Sequence, residues 1–103
     1  MVLINYNSDN HELTVDGHAN FAKSGEDIVC AAVSILVYTL GACLSEEYLD
    51  EAIEMEIGVG RSRIKCVPKE EYIGNVDLIY ATVITGFELL AKVYPANVKL
   101  KVI

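Results

Sequence analysis

Basic residues are scarce in this chain: eight Lys and Arg stand against fifteen Asp and Glu, for a formal net charge of −7 and a pI near 4.6. That excludes a nucleic-acid surface, because phosphate binding needs clustered Lys and Arg, and the run VGRSR at 59–63 supplies only two. An acidic surface suits a basic partner, though it serves solubility equally well. Cysteine is sparse too. Cys30, Cys43 and Cys66 form no CxxC pair and are odd in number, which excludes a disulfide framework and points to a reducing, cytoplasmic setting. No paired spacing joins His11, His18 and Cys30 as metal ligands, so neither a metal nor another cofactor is expected. The seven glycines lack phosphate-loop spacing. Internal repeats, low-complexity tracts and linkers are missing as well.

What is present is apolar. With 103 residues, 52% of them hydrophobic, and a mean hydropathy of +0.33, the chain has material for one packed domain spanning 1–103. Residues 28–45 carry no charge, a length at the lower edge of a membrane span. The run includes Ser34, Tyr38, Thr39, Gly41 and Ser45, is flanked by Asp27 and Glu46, and lacks the Lys/Arg flank of a cytoplasmic end. A buried helix is therefore expected, with no membrane partner, and so apolar a helix needs cover from both directions, which a sheet and a second subunit could provide. No basic stretch precedes an apolar one at the start, so no secretory signal is expected.

Taken in order, Val2 to Tyr6 and Glu12 to Gly17 read as strands joined by the turn residues NSDNH. A helix is expected from about Gly25 to Thr39 or beyond, with Gly41 a possible break. Ile53, Met55 and Ile57 alternate with Glu54 and Glu56, which predicts a strand with one buried and one wet face. Gly58 and Gly60 bracket a turn, and Arg63 to Val67 returns as a strand with Cys66 in the core. Asn75 or Asp77 is the expected cap of a second helix running to about Tyr94. Its apolar face is Val76, Ile79, Val83, Phe87, Leu90 and Tyr94, and Pro95 stops it. Val98, Leu100 and Val102 form a last strand. The order ββαββαβ makes this an α+β fold, two helices packed on a largely antiparallel sheet.

The chemistry concentrates in residues 17–34, GHANFAKSGEDIVCAAVS. A thiol has an ordinary pKa of about 8.5 and needs a base or a positive potential to become the reactive thiolate. His18, at the end of the second strand, offers the base. Ser24 with Asp27 matches a capping box, which places Cys30 within about two turns of a helix's positive end. Asp27, Cys30 and Ser34 are spaced to share one helical face. By itself a free cysteine on an apolar helix is a small core hydrophobe, Asp27 is a cap, and Ser34 is a hydroxyl bonded back to its own helix.

The run GHA at 17–19, then Gly25, then DIVCAAVS at 27–34, resembles the signature of the ribosomal-processing cysteine protease family, Prp. The likeness extends to the order of elements, including the closing helix and the YP-then-strand ending at Tyr94 and Pro95. In that family the His of GHA and the Cys of DIVCA are the catalytic pair, which implies those roles for His18 and Cys30, with Asp27 and Ser34 as possible supporting residues. The loop residues Gly17, Ala19, Asn20, Phe21 and Gly25 are then expected to order around substrate. Many members have a second Gly after GHA, where this chain has Asn20.

What the resemblance implies is a cytoplasmic, homodimeric cysteine endopeptidase. It would remove the short N-terminal extension of the large-subunit ribosomal protein numbered twenty-seven, cutting after an aromatic residue, with N–H groups near the helix start holding the oxyanion. The aromatic's pocket is open among Tyr38, Tyr48, Tyr72, Tyr80, Phe87 and Tyr94. Two alternatives stand beside it. One is a mobile-element paralogue cutting another protein, such as a phage structural protein. The other is a non-enzymatic module that captures an extended peptide on its sheet edge and leaves Cys30 unreactive.

Overall fold

The computed structural model describes residues 1–23, 25–47 and 52–103. Its elements are β1 (Val2–Asn7), β2 (Glu12–Asp16), α1 (Ile28–Glu47), β3 (Ile53–Gly58), β4 (Arg61–Cys66), α2 (Ile73–Val93) and β5 (Val98–Val102), with a 3-10 turn over Glu70–Tyr72 leading into α2. This is the expected ββαββαβ order. The five strands form one sheet in the order β3-β4-β2-β1-β5. Three pairings are antiparallel, and β5 joins β1 in parallel.

Alternation decides which face of the sheet is covered. Val2, Ile4 and Tyr6 of β1, Leu13 and Val15 of β2, and Ile64 and Cys66 of β4 are buried, while Leu3 between them is exposed. The helices close the buried face. Val29, Val33, Val37, Leu40 and Leu44 of α1 are buried at helical spacing, as are Val76, Tyr80, Val83, Ile84 and Phe87 of α2. By length and composition Ile28–Glu46 could cross a membrane; here its buried stripe faces the sheet.

Several boundaries differ from expectation. The helix opens at Ile28 rather than Gly25, because Asp27 supplies the cap; the Ser24 half of the capping box lies outside the described residues, as does Tyr48. Gly41 does not break α1. It brings the helix onto β3, since a side chain there would meet the Met55 sulfur at 2.5 Å. Gly86 does the same between the helices, against Leu36 at 2.8 Å. Met55 is nonetheless exposed, so the face of β3 expected to be buried is only partly covered, β3 being the sheet edge.

Neither Asn75 nor Asp77 caps α2, which is entered from Tyr72 without a side-chain cap. Asp77 instead reaches the buried His11, with Nε2 and Oδ1 2.5 Å apart. The His11 carbonyl accepts the Tyr80 hydroxyl at 2.7 Å and the Cys66 N–H at 3.1 Å. Tyr80 also stacks on Tyr6, ring centroids 5.0 Å apart. Burial, and then the Asp77 charge, pushes the Tyr6 hydroxyl up to about 12, and burial raises the Tyr80 hydroxyl and the Cys66 thiol as well. This cluster ties the far end of the sheet to the start of α2.

The opposite end carries the residues that the sequence singles out. The register pairs Leu3 with Asp16, Asp16 with Arg61, and Val2 with Val98. The exit of β2, the β3–β4 turn and the entrances of β1 and β5 therefore meet at one edge.

Candidate active site

An open cleft of about 740 Å³ occupies that edge, lined by His18, Cys30, Ser34, Tyr38, Gly60 and Arg61 among others. Its walls are the segment after β2, the first turns of α1 and the β3–β4 turn. Gly17 starts the departure from β2 with φ +96, and a Cβ there would collide with the Met1 carbonyl, so only glycine serves. Its N–H is bonded to the Gly60 carbonyl at 2.8 Å.

Cys30 lies in the first turn of α1, half-buried. The Ala19 N–H donates to its sulfur at 3.4 Å. His18 lines the same cleft, but among the described residues no hydrogen bond joins it to Cys30. Its ring rests on Gly60, where a Cβ would stand 2.8 Å from Nε2. The chain of Gly60 has φ +75, which by itself favours glycine at that position. Ser34 is exposed to the cleft one turn beyond Cys30; its hydroxyl makes no hydrogen bond among the described residues, not even back to its own helix.

Asp27 is the hub of the loop. Its Oδ1 accepts the N–H groups of Val29 at 3.0 Å and Cys30 at 2.9 Å, the pattern of a helix N-cap. Its Oδ2 accepts those of Phe21 at 2.9 Å and Ala22 at 3.3 Å, tying the loop to the helix. The Cys30 N–H first, with the other three amides, holds this carboxyl below the usual carboxylate range. The expected oxyanion donors at the helix start are thereby already engaged: the Val29 and Cys30 N–H groups are on Asp27 Oδ1, and the Ala31 N–H is on the Asp27 carbonyl at 3.1 Å.

The loop has its own geometry. Asn20 has φ +55 and Gly25 φ +86. Asn is the side chain that best tolerates the left-handed region after Gly, so the departure from a second Gly after GHA preserves the backbone that position needs. Phe21 lies edge-on to Tyr94, centroids 5.3 Å apart. Of the aromatic residues left open by sequence, Tyr38 lines the cleft, whereas Tyr80 and Phe87 are in the core. Sequence reasoning also missed Gly60 under the imidazole and Asn97, whose Nδ2 donates to the Ala19 carbonyl at 2.8 Å. No local pattern marks either, because both arrive through strand register.

Comparisons with known proteins bear on the family and the fold. A curated relative from Mycoplasma pneumoniae, a ribosomal processing cysteine protease Prp, is 53% identical over 36 residues, which are 35% of this chain and 36% of that protein. The matched stretch thus spans about a third of the relative's length. Among solved structures, the essential ribosomal processing protease Prp from S. aureus, in complex with a covalently linked product peptide, superposes with a TM-score of 0.86 over 100% of both chains at 19% identity. A Streptococcus mutans protein superposes with a TM-score of 0.68 at 24% identity, over 99% of this chain and 91% of that one. At those identities the structures speak for the fold. The family description Cysteine protease Prp matches residues 1–99, and on that match, spanning the whole of the sheet-edge cleft and both helices, the chain belongs to the Prp cysteine protease family.

Proposed function

We propose that this chain is a cysteine endopeptidase that removes the short N-terminal extension of a large-subunit ribosomal protein, the one numbered twenty-seven, cutting after an aromatic residue. The observation that carries this is Cys30 in the first turn of α1, opening into a cleft shared with His18 and receiving the Ala19 N–H on its sulfur. Family membership supports the activity. The product peptide linked covalently to the S. aureus relative supports an extended peptide as the occupant of the cleft here.

Chemically, the His18 ring leaves Gly60 for the thiol as peptide fills the cleft and takes the proton from Cys30. The thiolate attacks the scissile carbonyl, the C–N bond breaks, and the imidazolium gives its proton to the leaving amine. Water then cleaves the thioester, releasing the carboxylic acid and restoring the thiol. The aromatic side chain before the scissile bond packs against Tyr38, Val37 and Ile57, which are among the residues lining the cleft. Ser34, its hydroxyl exposed there, is positioned to meet the peptide. The enzyme acts in the cytoplasm, without nucleic acid or membrane, as a homodimer. Support for the dimer comes from an apolar face of α1 and α2 lined by Ile35, Leu89 and Val93, each at least 60% exposed; that is much apolar surface for a monomer to leave in water.

Side-by-side digestion of the ribosomal precursor and of phage structural proteins tests the substrate. Cleavage of the precursor after an aromatic residue is the expected result; cleavage of a phage protein alone would transfer the activity to the other substrate class.

A further inference from the structure

We propose that Asn97 is a positioning residue for the nucleophile, holding Ala19 so that the Ala19 N–H stays on the Cys30 sulfur. This rests on Cys30 being the nucleophile. Ala19 is 1% exposed and is pinned from both sides: its N–H on Cys30 Sγ at 3.4 Å, its carbonyl on Asn97 Nδ2 at 2.8 Å. Asn97 is itself rigidly placed. Its N–H is bonded to the Tyr94 carbonyl at 3.0 Å and its carbonyl to the Val2 N–H at 2.8 Å, so the α2–β5 connection and the entrance of β1 fix it together.

The reason for such an anchor lies in the donors around the sulfur. The helix N–H groups of Val29 and Cys30 are occupied by the Asp27 carboxylate, which leaves the loop amide to meet the sulfur. Ala19 supplies the amide donated directly to Cys30 Sγ among the described residues, and a hydrogen bond to the charged form favours it. Asn20 follows in the left-handed region at φ +55. Without the Asn97 amide the Ala19 carbonyl loses its partner, and the N–H on the other side loses its aim.

The test uses Asn97→Asp, which keeps the shape but removes the donor, and Asn97→Ala. Peptide cleavage is resolved into kcat and KM, and iodoacetamide labelling of Cys30 at pH 7 is followed by peptide mapping, with Cys43 as the internal reference. Both variants are expected to lose about tenfold or more in kcat with KM nearly unchanged, and to label Cys30 more slowly by a comparable factor while Cys43 labels as before. Cys30 labelling at the wild-type rate in the folded variants would overturn the proposal, as would a rise in KM alone. Should both variants unfold, amide exchange at Ala19 decides. Exchange about tenfold faster in Cys30→Ala than in wild type is expected, and equal exchange would overturn it. Cleavage by Cys30→Ala would remove the nucleophile assignment itself, an outcome read separately from those at Asn97.

Discussion

Asp27 engages both of its carboxylate oxygens, one for the helix and one for the loop, and the ionised form is what four amides recognise. Because its folded value is depressed, the stability it contributes is present above the unfolded value near 3.8 and is lost as pH falls through the lowered folded value. Denaturant midpoints of wild type and Asp27→Asn are therefore expected to differ at pH 7 and to converge as pH falls below 3.8; a gap that stays constant through that window would contradict the role of the charge. That His18, Asp27 and Cys30 meet at one cleft was legible because they share one contiguous stretch of sequence. The position of the imidazole was not. It depends on Gly60, forty-two residues away in sequence and brought close only when β4 pairs with β2. Gly60→Ala is expected to cost about 1–2 kcal/mol through its left-handed backbone alone, and also to displace the His18 ring and slow cleavage. Thermal melts and kcat measured together check both halves; unchanged kcat would separate Gly60 from the catalytic pair.

At the scale of elements, hydrophobic periodicity gave the order of all seven and most of the buried faces, because alternation in Val2–Tyr6 and in Glu12–Val15 maps directly onto one covered side of a sheet. It erred where a side chain outweighed the pattern. Asp27, read as the second half of a capping box begun by Ser24, is itself the cap, so α1 starts at Ile28 rather than Gly25. Asp77, read as a cap, is drawn instead to His11 on the β1–β2 connection. Tyr80 fell outside the expected stripe of α2 yet is fully buried, since its hydroxyl finds the His11 carbonyl. Phe87 carries the packing of α2 with no exposed surface. Phe87→Ala is expected to destabilise the fold by about 3–5 kcal/mol, read from urea denaturation; a loss below about 1 kcal/mol would mean that the core around it collapses freely.

Across the whole molecule, the sheet divides two functions between its ends. The His11, Asp77, Tyr80 and Tyr6 cluster fastens one end, while the other gathers the exits and entrances of β2, β4, β1 and β5 around the cleft. The helices cover one face of the sheet and present Ile35, Leu89 and Val93 outward, the apolar surface on which the proposed dimer rests. Sedimentation at micromolar concentration is expected to give a dimer, and Leu89→Lys to shift it toward monomer; a monomeric wild type would contradict the assigned interface. The central claim is that Cys30 is the nucleophile of a peptidase. Its most direct test is incubation of wild type and Cys30→Ala with a peptide spanning the ribosomal precursor's N-terminal extension, read by mass spectrometry. Cleavage after the aromatic residue by wild type alone is the predicted result; cleavage by folded Cys30→Ala at the wild-type rate would contradict it.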